Sequence, residues 1–373
     1  MSVLLFIIIL LVLVLVHEFG HFITAKKLGM RVDEFGFGFP PRAVKLFKKG
    51  ETLYSLNWLP LGGFVKIFGE NPDEESNSGV DKARSFVNKP KWAQAIVLVA
   101  GVVMNILLAW VLISVGFMSG MPVSESSAPK GSVIRNTSLV VLGVTPESPA
   151  QKAGLLPGDK ILGITDSESS RTEDAVTEPS VTAVQDYIKK KNGKPLTFEI
   201  ERKEKIETII NVVPKVAKAG QDPVVGISMD TVGTARLSVW RSVYEGAKMT
   251  GYMLKGTAIG FWNLVSAAVV GKADLSAVSG PVGIAGVVGD AYQFGGAAYL
   301  LYFAALISIN LAIINLIPFP ALDGGRLLFL LIEYIKGSRI KSTVANTMNA
   351  VGFFILIGLM FVITYHDILK LVK

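Results

Sequence analysis

"LVLVLVHEFGHFITAKK", residues 11–27, sets two histidines and a glutamate directly against an unbroken apolar run. Residues 3–16 are apolar without interruption. Phe19, Phe22 and Ile23 extend the run to about 21 residues, or about 31 Å of helix, which matches the hydrocarbon core of a bilayer. A transmembrane helix is therefore expected here. A secretory signal peptide would carry a basic region before Val3 and a small-residue cleavage site after the run, and neither pattern stands in the sequence.

The rest of the composition agrees with a membrane setting. Of 373 residues, 50% are hydrophobic and 18% charged, too oily for an ordinary soluble chain and long enough for two or three domains. The formal charge of +7 is more economically read as cytoplasmic loop charge than as a nucleic-acid surface. There is no cysteine, so disulfides are excluded and any metal must be held by His, Asp or Glu. Histidine is scarce: His17, His21 and His366 are the only three.

Working outward, residues 26–91 turn rich in Gly, Pro and aromatics, with short alternating runs at 52–56 and 64–68. They read as small strands and hairpins, with residues 71–91 a polar loop. Residues 92–121 form a second span with one polar intruder, Asn105, and residues 122–136 a Ser/Pro/Gly linker. Residues 137–216 look soluble: a strand in "SLVVLGV", a short helix in "SPAQKAGL" capped by Ser148, an amphipathic helix in "VTAVQDYIKKK" and a hairpin from "PLTFEIERK" and "KIETIINVVP". That order, with "SPAQKAGLLPGDKILGI", resembles a PDZ domain in its circularly permuted bacterial form, here assigned to residues 122–217. Residues 218–297 are expected to be an interfacial helical region, because residues 236–271 are helical in pattern but carry aromatics and scattered Lys and Arg. Residues 298–325 and the end of 326–373 supply further spans, the latter after a cytoplasmic loop. The fold class is thus a polytopic α-helical membrane protein of about four transmembrane helices, with a membrane-associated β-hairpin region and an inserted αβ domain.

Short-loop charge orients the chain. Twelve Lys and Arg fall between residues 25 and 92, and Arg326, Lys336, Arg339 and Lys341 cluster after the third span. Both segments are expected on the cytoplasmic side, with the soluble domain outside.

H-E-x-x-H on a helix puts His17 and His21 one turn apart on one face, where two neutral imidazoles can bind one Zn²⁺. Glu18, displaced by about 100° on the helix, stays near enough to take a proton from a metal-activated water and return it to a leaving amine. A catalytic zinc needs a third protein ligand and an open position. His366 stands at the far end of the last span and reads as an interfacial residue. Asp323, in "NLIPFPALDGG", follows Pro318 and Pro320, which break the helix, and precedes Gly324 and Gly325, which allow close passage. Read alone, the same motif is also a helix-breaking turn with a capping Asp.

HEFGH at the end of the first span, together with NLIPFPALDGG at the end of a late span, resembles the site-2 protease family of intramembrane zinc metalloproteases. "PLGGFVKIFGE" (60–70), the PDZ-like insert and "SGPVGIAG" (279–286) resemble its bacterial branch, which includes the sigma-E regulator protease. The resemblance covers almost the whole chain. It implies that His17, His21 and Asp323 bind Zn²⁺, that Glu18 is the base and that Asn315 helps polarise the scissile carbonyl. It also implies that a β-edge at Gly62, Gly63, Phe64, Val65, Lys66 and Ile67 pairs with an unwound substrate, where simple packing of a small sheet is the other reading. Relatives usually read Gly-Pro-x-x-Asn in the second span; here Val102 stands in the proline's place and Asn105 remains.

The activity so implied is zinc-dependent endoproteolysis within the transmembrane segments of single-span proteins in a bacterial inner membrane, near the cytoplasmic leaflet. Anti-sigma factors or signal-peptide remnants are the substrate types, and a C-terminal peptide is a further partner at the PDZ domain. Two other readings stay open: a non-catalytic PDZ adaptor with structural zinc, and a membrane-anchored enzyme acting on soluble peptides. The ligand set has a topological corollary. Asp323 reaches the same leaflet as His17 only if residues 236–271 lie along the interface rather than crossing.

Overall fold

The computed structural model describes residues 2–70, 79–145, 147–167, 175–202, 205–216, 222–271 and 280–372. Two compact units emerge, one holding residues 1–115, 243–292 and 300–373, the other residues 116–242 and 293–299.

The first unit is built on helices. Four described helical segments are long and apolar enough to cross a membrane: Ser2–Lys27, Lys91–Ser119, Gly296–Leu316 and Ser342–Leu369. They belong to α1 (Ser2–Lys27), α2 (Lys91–Ser119), α6 (Pro281–Leu316) and α8 (Ser342–Val372). In lipid the backbone must satisfy its own hydrogen bonds, and an uninterrupted helix does so. α6 is interrupted at Gly296, where φ 62 and ψ −153 break the helical geometry. Small residues let α1 and α2 touch backbone to backbone: a Cβ on Gly20 would lie 2.5 Å from the Ala100 carbonyl oxygen. Leu13 of α1 packs with Val288 and Ile307 of α6.

Between α1 and α2 lie β1 (Val32–Lys49) and β2 (Thr52–Ile67), each longer than the short strands expected. Their register explains the difference. Phe35 faces both Val65 and Tyr54, and Gly36 both Phe64 and Ser55. Residues 34–37 are therefore flanked on both sides by β2, and 63–67 become an outer strand. A buried cluster of Ala25, Met30, Val32, Ile67, Phe86, Ala93, Val97 and Leu98 fastens this sheet between the ends of α1 and α2. Inside it, Glu34 accepts from Ser55 Oγ (2.6 Å) and from Arg42 Nε (3.0 Å). Burial works to raise the Glu34 pKa, but the bonds from Arg42 and Ser55 outweigh it and hold the carboxyl below its usual range. Of the polar loop expected at 71–91, residues 71–78 lie outside the described residues; 82–84 and 86–88 are single turns of 3₁₀ helix.

One expectation needs correction here. The segment after Asp323 is not a loop: Asp323–Lys336 is a helix, α7. Its Leu327 and Leu330 pack against the buried cluster below α1 and α2, and this apolar face outweighs the basic residues that suggested a loop. The segment 239–269 is one helix, α5 (Val239–Val269), which is not among the four candidate spans.

The second unit is a six-stranded antiparallel sheet ordered β3-β10-β4-β5-β6-β7. Its strands are β3 (Met121–Ser124), β4 (Ile134–Val144), β5 (Lys160–Asp166), β6 (Leu196–Arg202), β7 (Lys205–Val212) and β10 (Ile227–Ala235); β8 (Lys215–Val216) and β9 (Pro223–Val224) pair separately. α3 (Pro149–Ala153) begins at Ser148, whose side chain accepts from Gln151 N, and ends at Gly154 with φ 92. α4 (Val181–Lys190) turns Val184, Tyr187 and Ile188 into the core beside Leu139, Ile161 and Phe198. The boundaries differ from those expected. Met121–Ser124 is a strand, where residue 121 is expected to end the second span and 122–124 to be linker, and Ile227–Ala235, expected in a helical region, is a strand between β3 and β4. The signal was the alternation in "ISMDTVGTA", whose Ile227 and Met229 pack on the core while Ser228 points away. "SGPVGIAG" opens α6 from Gly280, with Ser279 outside the described residues.

Asp159, 2% exposed at its side chain, is held by Arg202 through two 2.7 Å bonds. Asp159→Ala removes both bonds and the one Asp159 accepts from the Leu156 N–H, leaving Arg202 to Glu207 and the Gly154 carbonyl, and is expected to destabilise the second unit by about 1–3 kcal/mol. The urea dependence of proteolysis of the full chain in detergent checks it.

Candidate metal centre

α1 carries His17 and His21 one turn apart with their rings edge to face, centroids 4.7 Å apart and Nε2 atoms 3.1 Å apart. Both residues are buried. Asp323 arrives from the other end of the chain. After α6, Pro318 and Pro320 interrupt helical bonding, Ala321 adopts φ 75, and α7 starts at Asp323 itself. Gly324 and Gly325 fold back on this turn, where a Cβ on either would lie 2.2 Å from the carbonyl oxygens of Ile317 and Phe319. The close approach allowed by the two glycines is thus to their own preceding turn. Asp323 is not a cap: its Oδ2 lies 3.0 Å from His17 Nε2 and 3.3 Å from His21 Nε2.

These three atoms form a triangle with sides of 3.0, 3.1 and 3.3 Å. A tetrahedral zinc with bonds of 2.0–2.1 Å separates its ligands by about 3.3 Å, so the donor set fits that ion in kind and spacing and leaves a fourth position open. His21 Nδ1 donates to the Val97 carbonyl at 2.8 Å, which fixes the tautomer with Nε2 free to ligate. Gly101 of α2 makes room for both rings. A Cβ there would lie 2.4 Å from His21 Nε2 and 2.7 Å from His17 Nε2.

The other residues named from sequence are placed as follows. Glu18 Oε2 accepts the Val65 backbone N–H at 3.0 Å, so the outer strand of the sheet meets α1 beside the histidine pair. Gly63 is closely packed there, its missing Cβ 2.8 Å from Leu15 Cδ2, and Gly62 takes φ 122. Phe64 and Val65 are half-buried and Lys66 is exposed, whereas Ile67 is buried in the cluster below α1 and α2. Asn315 is half-buried on the last turn of α6, and among the described residues no hydrogen bond joins it to the cluster. His366 lies on α8, outside the His17–His21–Asp323 group. Three residues with no site role assigned from sequence, Val97, Gly101 and Asn105 of α2, all meet the cluster. The available signal was their spacing: 97, 101 and 105 share one helix face.

The model of peptidase family M50 matches residues 5–359 of the chain. Zinc metalloprotease RasP of Geobacillus kaustophilus is 30% identical over 443 residues, spanning 99% of this chain and 98% of its own. A putative zinc metalloprotease of Clostridium perfringens is 36% identical over 360 residues, covering 96% and 95%. Another, from Nostoc, is 34% identical over 362 residues, covering 96% and 93%.

Asp323→Ala removes one corner of the triangle, and Gly101→Ala drives a methyl group between the rings. Both are expected to lower zinc from about one ion per chain to under about one tenth after dialysis against a chelator, by atomic absorption. Gly251→Ala, whose Cβ meets nothing within 4 Å, keeps it.

Proposed function

The chain belongs to peptidase family M50, the site-2 protease family, and is a zinc metalloendopeptidase and multi-pass membrane protein; from that premise we propose that it cuts single-span membrane proteins within their transmembrane segments. The carrying observation is the position of the His17–His21–Asp323 triangle: two of its corners are buried in an apolar spanning helix, and an outer β-strand stands beside it.

His17, His21 and Asp323 hold the zinc. When bound, zinc acidifies a water and polarises a carbonyl. Glu18 accepts the proton of the attacking water at its carboxylate and delivers it to the departing amide nitrogen. Its bond to Val65 N–H shows that this carboxylate and the strand edge are within reach of one another. A helix hides its carbonyls in internal bonds, so the substrate must be extended before attack, and the freed groups need partners. The outward backbone of residues 62–66 supplies them by strand addition. Ile67 contributes to packing rather than to the substrate surface. Asn315 supplies a side-chain donor to the scissile carbonyl when substrate is seated.

Substrates are membrane proteins already shortened outside the membrane, including anti-sigma factors and signal-peptide remnants, in regulated intramembrane proteolysis at a bacterial inner membrane. The clustering of Lys and Arg in residues 25–92 and 326–341 supports a cluster near the cytoplasmic leaflet with the sheet domain outside. With α5 along the interface, the four candidate spans deliver Asp323 and His17 to one leaflet, which supports that reading. The capped α3, the α4 face and the antiparallel sheet support a PDZ-like domain that excludes uncut ectodomains or captures a C-terminal peptide.

Glu18→Gln is expected to keep its zinc and lose about 10²- to 10⁴-fold in cleavage of a single-span reporter in detergent; undiminished cleavage removes Glu18 from its role. Val65→Pro deletes the N–H that Glu18 accepts and disrupts the strand edge beside it, and is expected to lower kcat/KM about tenfold or more with zinc retained.

A further inference from the structure

Both imidazoles need a partner on the ring nitrogen that faces away from the metal position. His21 has one in the Val97 carbonyl. His17 meets Asn105, whose Nδ2 lies 3.3 Å from His17 Nδ1. Asn105 is fully buried, and its Oδ1 is buried with no hydrogen-bond partner among the described residues. The helix behind it is pinned, because Ser308 of α6 donates its hydroxyl to the Asn105 backbone oxygen at 2.8 Å.

For His17 to present a free Nε2 beside Asp323 and His21, its proton must reside on Nδ1. The Asn105 Nδ2 is a donor only, so two donors would then face each other. A half-turn of the amide brings Oδ1 to the Nδ1–H and gives the orphaned acceptor its bond. An acceptor left bare in an apolar interior forfeits the hydrogen bond it would make to water in the unfolded chain. We propose that Asn105 is a positioning residue for the metal centre: its Oδ1 accepts from His17 Nδ1 and fixes that ring as the Val97 carbonyl fixes His21. One face of α2, at 97, 101 and 105, then supplies an acceptor for each ring and the space between them. The inference rests on His17 and His21 being the ligands.

The test is zinc affinity of the purified full-length protein in detergent, by competition with a chelating dye. Asn105→Leu keeps the side chain's size and removes the acceptor; its affinity is expected to fall about 10- to 100-fold. Asn105→Asp keeps an oxygen and is expected to stay within about threefold of the parent. Asn105→Leu binding zinc as tightly as the parent overturns the proposal. His17→Ala separates the two layers: if it too binds normally, the ligand assignment fails, and if it alone loses zinc, only the role of Asn105 does. A direct reading needs no variant. In zinc-loaded protein labelled with ¹⁵N-histidine, His17 Nδ1 must carry a hydrogen, and a hydrogen-free Nδ1 overturns the proposal even where Asn105→Leu fails to fold.

Discussion

Polar side chains placed among lipid-facing helices have no water to fall back on, so each donor and acceptor must be answered from within the protein. Much of this structure follows from that demand at one point. His17 and His21 sit in an otherwise apolar helix, and everything that reaches them comes from an element brought unusually close. Gly20 and Gly101 let α1 and α2 approach until side chains would collide with backbone or ring. The Val97 carbonyl is then near enough to accept the His21 Nδ1–H, although it also belongs to a helix. The cluster is thus a product of helix packing as much as of ligand chemistry.

The second constraint is how a carboxylate more than three hundred positions away is delivered. A helix cannot turn its own first residue sideways into a neighbour without breaking. The prolines at 318 and 320 break it, and Gly324 and Gly325 let the next helix restart against the turn just made. Asp323 is left at the head of α7 with its oxygen on the histidines rather than on α7's own amides. The sheet between α1 and α2 solves a related problem. By flanking residues 34–37 on both sides, β2 leaves its last segment as an outer strand, and Val65 meets Glu18 there. A backbone edge and a carboxylate stand together where an extended chain could be received.

Much of this could be read from residues alone, and the exceptions have physical causes. Long apolar runs announced the spanning helices because lipid imposes a single length and a single polarity. HEFGH announced a metal pair because a four-residue spacing on a helix is itself geometry. Ser148 and the alternation in "LTFEIER" marked a cap and a strand through local chemistry. What failed depended on distant partners. β10 hid among polar residues because its burial is shared with β4 and α4, and β3 looked like linker because four residues reveal little alternation. α7 was masked by its basic residues, though its leucines find a core. Gly101 and Asn105 shared a helix face but showed nothing more of their tasks, since a missing side chain and a lone amide acquire meaning only beside the rings they face.

X-ray absorption at the zinc edge of the purified full chain tests the central claim most directly, because it reads the metal's neighbours without relying on activity. The account gives a first shell at about 2.0–2.2 Å with outer-shell scattering from two imidazoles and oxygen in the remaining positions. It also gives loss of most of the bound zinc, and with it the imidazole scattering, in His21→Ala. A shell without imidazole scattering, or one unchanged in His21→Ala, would contradict it.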